Sequence, residues 1–352
     1  MVRAIYDAEV QFVRCDPELI ALLCCPRCQG GLDFLTESEI HEDGHVEAGQ
    51  LSCRECQKTY PIIDGVPRFV PASLAHNVND TVEGFGFQWN RAKSLVRDGH
   101  LSSPEVFLEY IEPIAPEYFK DKVVLDAGCG TGRFVQHAVD FGGRLVVGVD
   151  LSSSVDVALE NTRHLKNVLI VQADIFQLPL REAFNYVFSL GVLHHTHDPK
   201  HSFAKLVVTL VPDGAISAWV YGREGNGWII AFVNPLRYVT SRLPRHLLVA
   251  LSFVLGLPLY VLSRLVGVLP KHVTGWLSGK VQFTEYLNFL RRFDFREQAH
   301  MIFDHLVPQL TAYIRREEFA DWFAAEGLQA ITISQKTRNS WRGFGVKSLL
   351  EK

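Results

Sequence analysis

Cys25-Pro26-Arg27-Cys28 and Cys53-Arg54-Glu55-Cys56 are two C-x-x-C pairs separated by a loop, the spacing that lets four thiolates close a tetrahedron around one zinc ion. A redox dithiol needs only one such pair, usually in a βαβ setting that Glu18 to Pro71 does not offer. The loop from Leu32 to Leu51 is polar and acidic, and its His41 and His45 read as solvated rather than ligating. It can build little core, so metal must supply the missing stability. Cys24 adjoins Cys25, but Cys25 reproduces the two-residue gap of Cys53 and Cys56. The expected zinc is structural, with all four positions filled by protein and none open for chemistry.

A second constellation lies at Val123 to Phe134, VVLDAGCGTGRF. Val123, Val124 and Leu125 read as a strand buried on both faces, and Gly128, Gly130 and Gly132 permit a tight turn with close backbone approach to a ligand. The helix that follows points its N–H groups at that ligand. A dinucleotide fingerprint requires G-x-G-x-x-G, whereas these glycines fall as G-x-G-x-G with Asp126 inside the turn. A carboxylate there disfavours a pyrophosphate and favours a ligand with a cation beside its own carboxylate, as at the methionyl end of S-adenosylmethionine. A second strand, Leu145 to Asp150, ends in an acid about 20 residues past the first glycine, where a carboxylate meets ribose hydroxyls. Strands then follow at Val168 to Val171, ahead of Gln172-Ala173-Asp174-Ile175, and at Tyr186 to Leu190, ahead of Gly191-Val192-Leu193-His194-His195. Each aspartate alone could be a turn former. Four motifs in this order argue for a site.

Together these motifs resemble class I S-adenosylmethionine-dependent methyltransferases. The resemblance implies a donor pocket formed by Asp126, Gly128, Gly130, Gly132, Asp150 with Leu151, Asp174 with Ile175, and Leu190. Within it, Asp174 would accept from the adenine amino group, the Ile175 backbone would contact the ring, and the loop after Leu190 would lie beside the sulfonium. Phe85-Gly86-Phe87-Gln88-Trp89 is similar to an arm that covers the donor in small-molecule methyltransferases, which makes Gln88 and Trp89 donor or substrate contacts and Phe85 and Phe87 core residues. The cysteine module, with CQKTYPIIDGVP after its second pair, resembles the small zinc-binding activator proteins that pair with tRNA, rRNA and release-factor methyltransferases. It implies a structural or activating role, with Ile62, Ile63, Val66, Phe69 and Val70 packing against the methyltransferase or a neighbour.

The elements needed to position these residues fit a chain of 352 residues with a net charge of −4. The expected fold is α/β: a Rossmann-like seven-stranded class I methyltransferase sheet, an N-terminal zinc-ribbon-like module, and a mostly helical insertion after strand 5. The expected divisions are an N-terminal segment (1–18), the zinc module (19–71), a linker and helical arm (72–121), the methyltransferase domain (122–222 and 282–352) and the insertion (223–281). A fifth strand is read at Ala215 to Tyr221, a loop at Phe303 to Pro308, a helix at Glu317 to Gly327, and paired last strands at Leu328 to Gln335 and Trp341 to Ser348. Met1 to Glu18 mixes Arg3, Asp7, Glu9, Arg14 and Asp16 with apolar residues, unlike a secretory leader, so the expected location is cytoplasmic.

Within Trp228 to Trp276 the run Leu247 to Ser263 is uncharged, with Arg237, Arg242 and Arg245 before it and Arg264 and Lys271 after it. As a helix it would reach roughly 26 Å. A single membrane crossing would leave the sheet unable to close, and Gly256 and Pro258 favour a bend. A lid over a hydrophobic acceptor, or peripheral contact at the inner face of a membrane, is expected; a buried core or a homo-oligomer interface is the bland alternative.

Methyl transfer asks mainly for alignment of donor and nucleophile in a dry site. A base, where one is needed, is sought at His194 or His195, with His197, Asp198, His305 and Tyr313 as weaker candidates and a structural role for both histidines as the alternative. The function expected from the sequence is S-adenosylmethionine-dependent methylation of a hydrophobic or lipid-linked small molecule, with no clear nucleic-acid surface. The first alternative is an RNA or protein methyltransferase using its zinc module on a large acceptor, and the second a non-catalytic, donor-binding partner subunit.

Overall fold

The computed structural model describes residues 17–35, 46–70, 83–84, 86–87, 103–227, 229–240, 242–268, 282–308 and 310–349. At the N-terminus a short helix α1 (Pro17–Ala21) precedes four strands, β1 (Leu32–Phe34), β2 (Gly49–Cys53), β3 (Thr59–Ile63) and β4 (Val66–Pro67). They form an antiparallel sheet in sequential order. Along β3 the period-two alternation sends Tyr60 and Ile62 inward and leaves Thr59, Pro61 and Ile63 exposed.

The larger sheet has seven strands: β5 (Val123–Ala127), β6 (Leu145–Asp150), β7 (Val168–Gln172), β8 (Phe184–Leu190), β9 (Leu210–Tyr221), β10 (Gln329–Gln335) and β11 (Ser340–Val346). Its order is β10-β11-β9-β8-β5-β6-β7, with β5 to β9 parallel and β11 antiparallel to both of its neighbours. This is the expected class I methyltransferase architecture. The parallel strands are continuous apolar runs because helices cover both faces. These include α2 (Pro104–Ile111), α3 (Arg133–Asp140), α4 (Ser154–Thr162) and α5 (Pro199–Val207).

The zinc module seals one edge of this sheet. Arg68 bridges in parallel to Gln172 of β7, and the Phe69 N–H donates to the Gln172 carbonyl at 2.7 Å. The Arg68 guanidinium donates to Gln172 Oε1 at 2.8 Å and pairs with Asp156 of α4 at 2.7 Å. Leu19, Leu23, Leu51, Ile62 and Phe69 share one apolar core with Leu169, Val171, Leu178 and Leu180. The expected neighbour of the apolar strand is therefore the methyltransferase sheet itself.

Between β9 and β10 run α6 (Asn234–Thr240), α7 (Arg245–Val268), α8 (Gln282–Leu290), α9 (Phe295–Leu306) and α10 (Arg316–Ala325). The hairpin that Gly256 and Pro258 could have made does not form: the 24-residue α7 runs on through both. Phe303 to Leu306, expected as a loop, are the last turn of α9, whose start is fixed by a capping box between Asp294 and Glu297. One face of α7 packs through Leu248 on Ile302, Phe303 and Leu306 of α9, and through Val266 on Leu287 and Leu290 of α8. Leu247, Val254, Leu257, Val261 and Leu265 are exposed on it. Among the described residues α7 is the one helix long and apolar enough to cross a membrane, by length and composition, and most of it is not buried.

Candidate active site

The four ligand cysteines converge as their spacing requires. Their Sγ atoms all lie within 4.8 Å of one another, with Cys25 to Cys56 at 3.6 Å and Cys28 to Cys53 at 3.4 Å. Thiolates about 2.3 Å from a tetrahedral zinc stand roughly 3.8 Å apart, so the donor set fits this ion. Tyr60 Oη lies 3.1 Å from Cys25 Sγ and would donate to the thiolate. Cys24 turns away, its thiol donating to Gln29 Oε1 at 3.1 Å. His41 and His45 lie outside the described residues.

The three aspartates expected to line a donor pocket stand on adjacent parallel strands: Asp126 in β5, Asp150 at the end of β6, and Asp174 just past β7. Asp126 is only 2% exposed, its Oδ2 has no hydrogen-bond partner, and burial pushes its carboxyl well above the usual range. A buried orphan carboxyl is expensive unless a cation meets it, and the ammonium or sulfonium of the donor fits that need. Gly128 holds a φ of +87°, and a Cβ there would collide with the Val192 side chain. The glycine turn can thus close against the loop after β8. Asp150 accepts from Gly130 N at 2.9 Å and from Ser152 N and Oγ at 2.8 and 2.7 Å, which fixes its carboxylate at the sheet edge. Asp174 caps the 3-10 turn Ile175–Gln177 by accepting from Phe176 N at 3.0 Å, and the Leu151 carbonyl accepts from Gln172 Nε2. Leu190 pairs with Trp219 of β9, and Gly132 opens α3. Gln88 and Trp89 lie outside the described residues.

His194 and His195 sit where the sequence places them, in the turn after β8, yet in different surroundings. His194 is fully buried, 4.1 Å from the Tyr221 ring centroid, and neither of its ring nitrogens has a partner. Burial drives its basicity far down. His195 is partly accessible and its Nδ1 lies 2.9 Å from the Leu310 carbonyl, so Nδ1 carries the proton and Nε2 is the acceptor. Burial lowers its pKa to about 4. Of the weaker candidates, Asp198 caps α5 and His197 stacks on Phe176, away from this cluster.

Several residues that the sequence reading did not single out complete the site. Tyr110, Arg133, Trp219, Tyr221, Tyr286 and His300, with His305 and Tyr313, are partly accessible, and most are deeply enclosed, as the walls of a cleft are. Ring centroids run from Tyr110 to Trp219 (4.9 Å), Trp219 to Tyr221 (5.4 Å) and Tyr221 to His305 (5.7 Å). Arg237 of α6 joins them from the insertion and acts electrostatically on His194, His195, His305 and Tyr221. The signal for Arg237 was its position: a charged residue in a block otherwise rich in apolar ones.

Residues 125–218 match the family model described as a methyltransferase domain, and residues 16–65 match that of a Trm112p-like protein. Among curated proteins, the tRNA U34 carboxymethyltransferase of Vibrio atlanticus (strain LGP32) is 32% identical over 139 residues, 36% of this chain and 42% of the relative. The protein of the same name from Aeromonas salmonicida (strain A449) is 32% identical over 155 residues, 38% and 46% of the two chains. The chain thus spans less than half the length of these relatives. A chain in a complex containing the Haloferax volcanii Trm112 methyltransferase activator is 15% identical over 77% of this chain and 99% of its own, with a TM-score of 0.44.

These relatives are named for a tRNA reaction, and His194 and His195 stand among aromatic, imidazole and charged groups. Both findings overturn the expected hydrophobic or lipid-linked acceptor and the expected lack of a nucleic-acid partner. Among the described residues the leucines of the insertion pack on α8 and α9 or face outward, while Arg237 and His305 lie within electrostatic reach of His194 and His195. The expected membrane contact draws no support from the relatives. The large sheet with its glycine turn and three aspartates is a class I S-adenosylmethionine-dependent methyltransferase domain, and this chain joins it to a zinc-binding Trm112-like domain.

Proposed function

We propose that the protein is an enzyme that transfers a methyl or carboxymethyl group from a sulfonium donor to a base in RNA, with a tRNA uridine as the favoured acceptor. The observation that carries this reading is the polar, aromatic cleft running from Asp126 to Tyr221 and His305. Tyr110, Trp219 and Tyr221 offer ring faces on which a planar base can stack once it is out of its own helix. The relatives named for tRNA give the acceptor its class.

The donor supplies an alkyl group already activated by the positive sulfur. The chain's part is to align and to exclude water. Asp150 would take the ribose hydroxyls and Asp174 the adenine amino group, while Asp126 meets the positive end. Trp219 and Tyr221 wall the path to the base. His195, neutral and held in one tautomer by Leu310, is suited to accept the nucleophile's proton at Nε2; His194 is enclosed and holds the turn. A cytoplasmic location follows from such an acceptor.

The test is incubation of the zinc-loaded protein with labelled S-adenosylmethionine and total tRNA, followed by nuclease digestion and mass spectrometry of the nucleosides. A labelled uridine is the expected result, and the mass tells methyl from carboxymethyl when the carboxymethyl sulfonium donor is supplied in parallel. Label confined to protein or to an organic extract would overturn the proposal.

A further inference from the structure

From Gly225 to Thr284 the chain has no aspartate or glutamate, although it carries 39 acidic residues elsewhere. The same stretch holds six basic residues, Arg237, Arg242, Arg245, Arg264, Lys271 and Lys280, in a chain whose net charge is −4. Along α7, Leu247, Val254, Leu257, Val261, Leu265 and Val268 are all exposed, Val254 at 67% and Val268 at 82%. They recur every three, four or seven residues, which puts them on one stripe of the helix. Leu248, Ser252, Ser263 and Val266 are buried on the opposite side, where Leu248 meets α9 and Val266 meets α8. Just ahead of α7, Phe232, Leu236 and Tyr238 are exposed as well. Arg242 lies over the Tyr238 ring at 3.9 Å and donates to the Tyr238 carbonyl. Arg264 lies over the Tyr260 ring at 4.7 Å and donates to the carbonyls of Arg291 and Phe293 at 3.1 and 2.9 Å. Carbonyls and rings leave both positive charges in place. Arg245 is neutralised by Glu83 at 2.9 Å, so Arg242 and Arg264 carry the charge at the two ends of the stripe.

We propose that the exposed stripe of α7 docks the protein on an anionic lipid surface, with the helix lying along the membrane rather than across it. A contiguous apolar patch of this kind calls for a cover, and the residues separate the three kinds that could supply one. An RNA backbone would take the arginines but has nothing to lay over a row of leucines and valines. A second copy of α7 would cover the row, yet it would bring arginines of both chains together with no acid in either segment to pair them. A bilayer with anionic headgroups meets both needs: its acyl region takes the stripe, and its headgroups take Arg242 and Arg264. The tyrosines beneath these arginines are amphipathic rings of the sort that settle at headgroup level. The helix lies flat because α8 and α9 hold it near both ends, and their Glu285, Arg296 and Asp304 bar them from hydrocarbon. Docking goes beyond the RNA reading and is independent of what the cleft modifies.

The test is flotation of the full-length, zinc-loaded protein with vesicles, beside a variant that combines Val254→Glu, Leu257→Glu and Val261→Glu. All three side chains face solvent, so the fold should survive, with the melting temperature and S-adenosylhomocysteine affinity as controls. The wild type is expected to float with vesicles of phosphatidylcholine containing about one-third phosphatidylglycerol, and more weakly with phosphatidylcholine alone. The triple variant should bind the mixed vesicles about tenfold less tightly or worse. Arg242→Gln, or added salt, should weaken binding to the mixed vesicles and spare the weaker binding to phosphatidylcholine. A wild type that stays unbound, or a triple variant that floats as well as the wild type, would overturn the docking. A dimer in sedimentation velocity that the triple variant dissolves, without vesicle binding, would assign the stripe to a second copy instead. Loss of tRNA binding in the triple variant, with tRNA stripping the wild type from vesicles, would assign it to RNA. Nucleoside labelling on the same preparations keeps the two readings apart, since neither result depends on the other.

Discussion

At the scale of single residues, the proposed donor end of the site is governed by charge without solvent. Asp126 is protonated more readily than an ordinary aspartate because burial penalises its anion, and a positive ligand reverses that preference. Binding of S-adenosylhomocysteine must then drive a proton off Asp126, so affinity falls as the pH is lowered. We expect calorimetric titrations at successively lower pH to show this loss in the wild type and a flatter profile in Asp126→Asn. Asp150 is hydrogen-bonded on its protein side by Gly130 and Ser152, which aims it rather than consuming it. Asp150→Ala should weaken S-adenosylhomocysteine binding by about 10- to 100-fold, the range of a charged hydrogen-bond pair; unchanged affinity would remove Asp150 from the donor pocket.

The enclosed imidazoles add a stability consequence. The pKa values of His195 and His305 are lowered to about 4 and that of His300 to about 3, from an ordinary value near 6.5. Between these limits the unfolded chain binds more protons than the folded one, so their contribution is intact above roughly pH 6.5 and is lost as the pH falls toward 4. Melting temperatures measured across that window should drop, and His300→Phe should drop less. Acid-driven loss of zinc is common to both proteins and cancels in the comparison.

At the scale of elements, the two C-x-x-C pairs, the glycine turn and the strand-end aspartates were legible in the sequence because each sits in a local pattern of fixed spacing. The strands around them were legible as apolar runs bounded by turn signals, and β6 falls where it was read, at Leu145–Asp150. What the spacing could not reveal was the acceptor half of the cleft. Tyr110, Trp219, Arg237 and His300, with His305 that the sequence offered only as a weaker base candidate, come from four separate elements, and only the packing of α9 against α6 and α7 brings the last three to the sheet edge. The α7 helix misled for a related reason. Pro258 costs a helix one internal hydrogen bond, but packing on α8 and α9 outweighs it. Its two faces should respond differently to truncation. Leu248→Ala, at 2% exposure, is expected to cost about 2–4 kcal/mol, whereas Leu257→Ala, at 55%, should stay within about 0.5 kcal/mol, as read by denaturant midpoints.

At the scale of the whole molecule, the zinc module and the methyltransferase sheet share a core that runs from Leu51 and Phe69 through Leu169 to Val187. Shared burial is expected to make their unfolding one event rather than two. Chelation of the metal should lower a single melting transition and weaken S-adenosylhomocysteine binding with it, because β7 carries the module on one side and leads into Asp174 on the other. Two separable transitions, with donor binding intact after chelation, would show that the module is only a passenger.

The covalent join between the module and the sheet has a further effect. Two separate chains held by this edge pairing would part on dilution, and their combined output would fall faster than their concentration. Here the connecting segment keeps the module at an effective concentration on the order of millimolar however few molecules are present. Specific activity should therefore stay constant down to very dilute protein, and a cell would have no way to switch the enzyme off by rationing its zinc-bearing half.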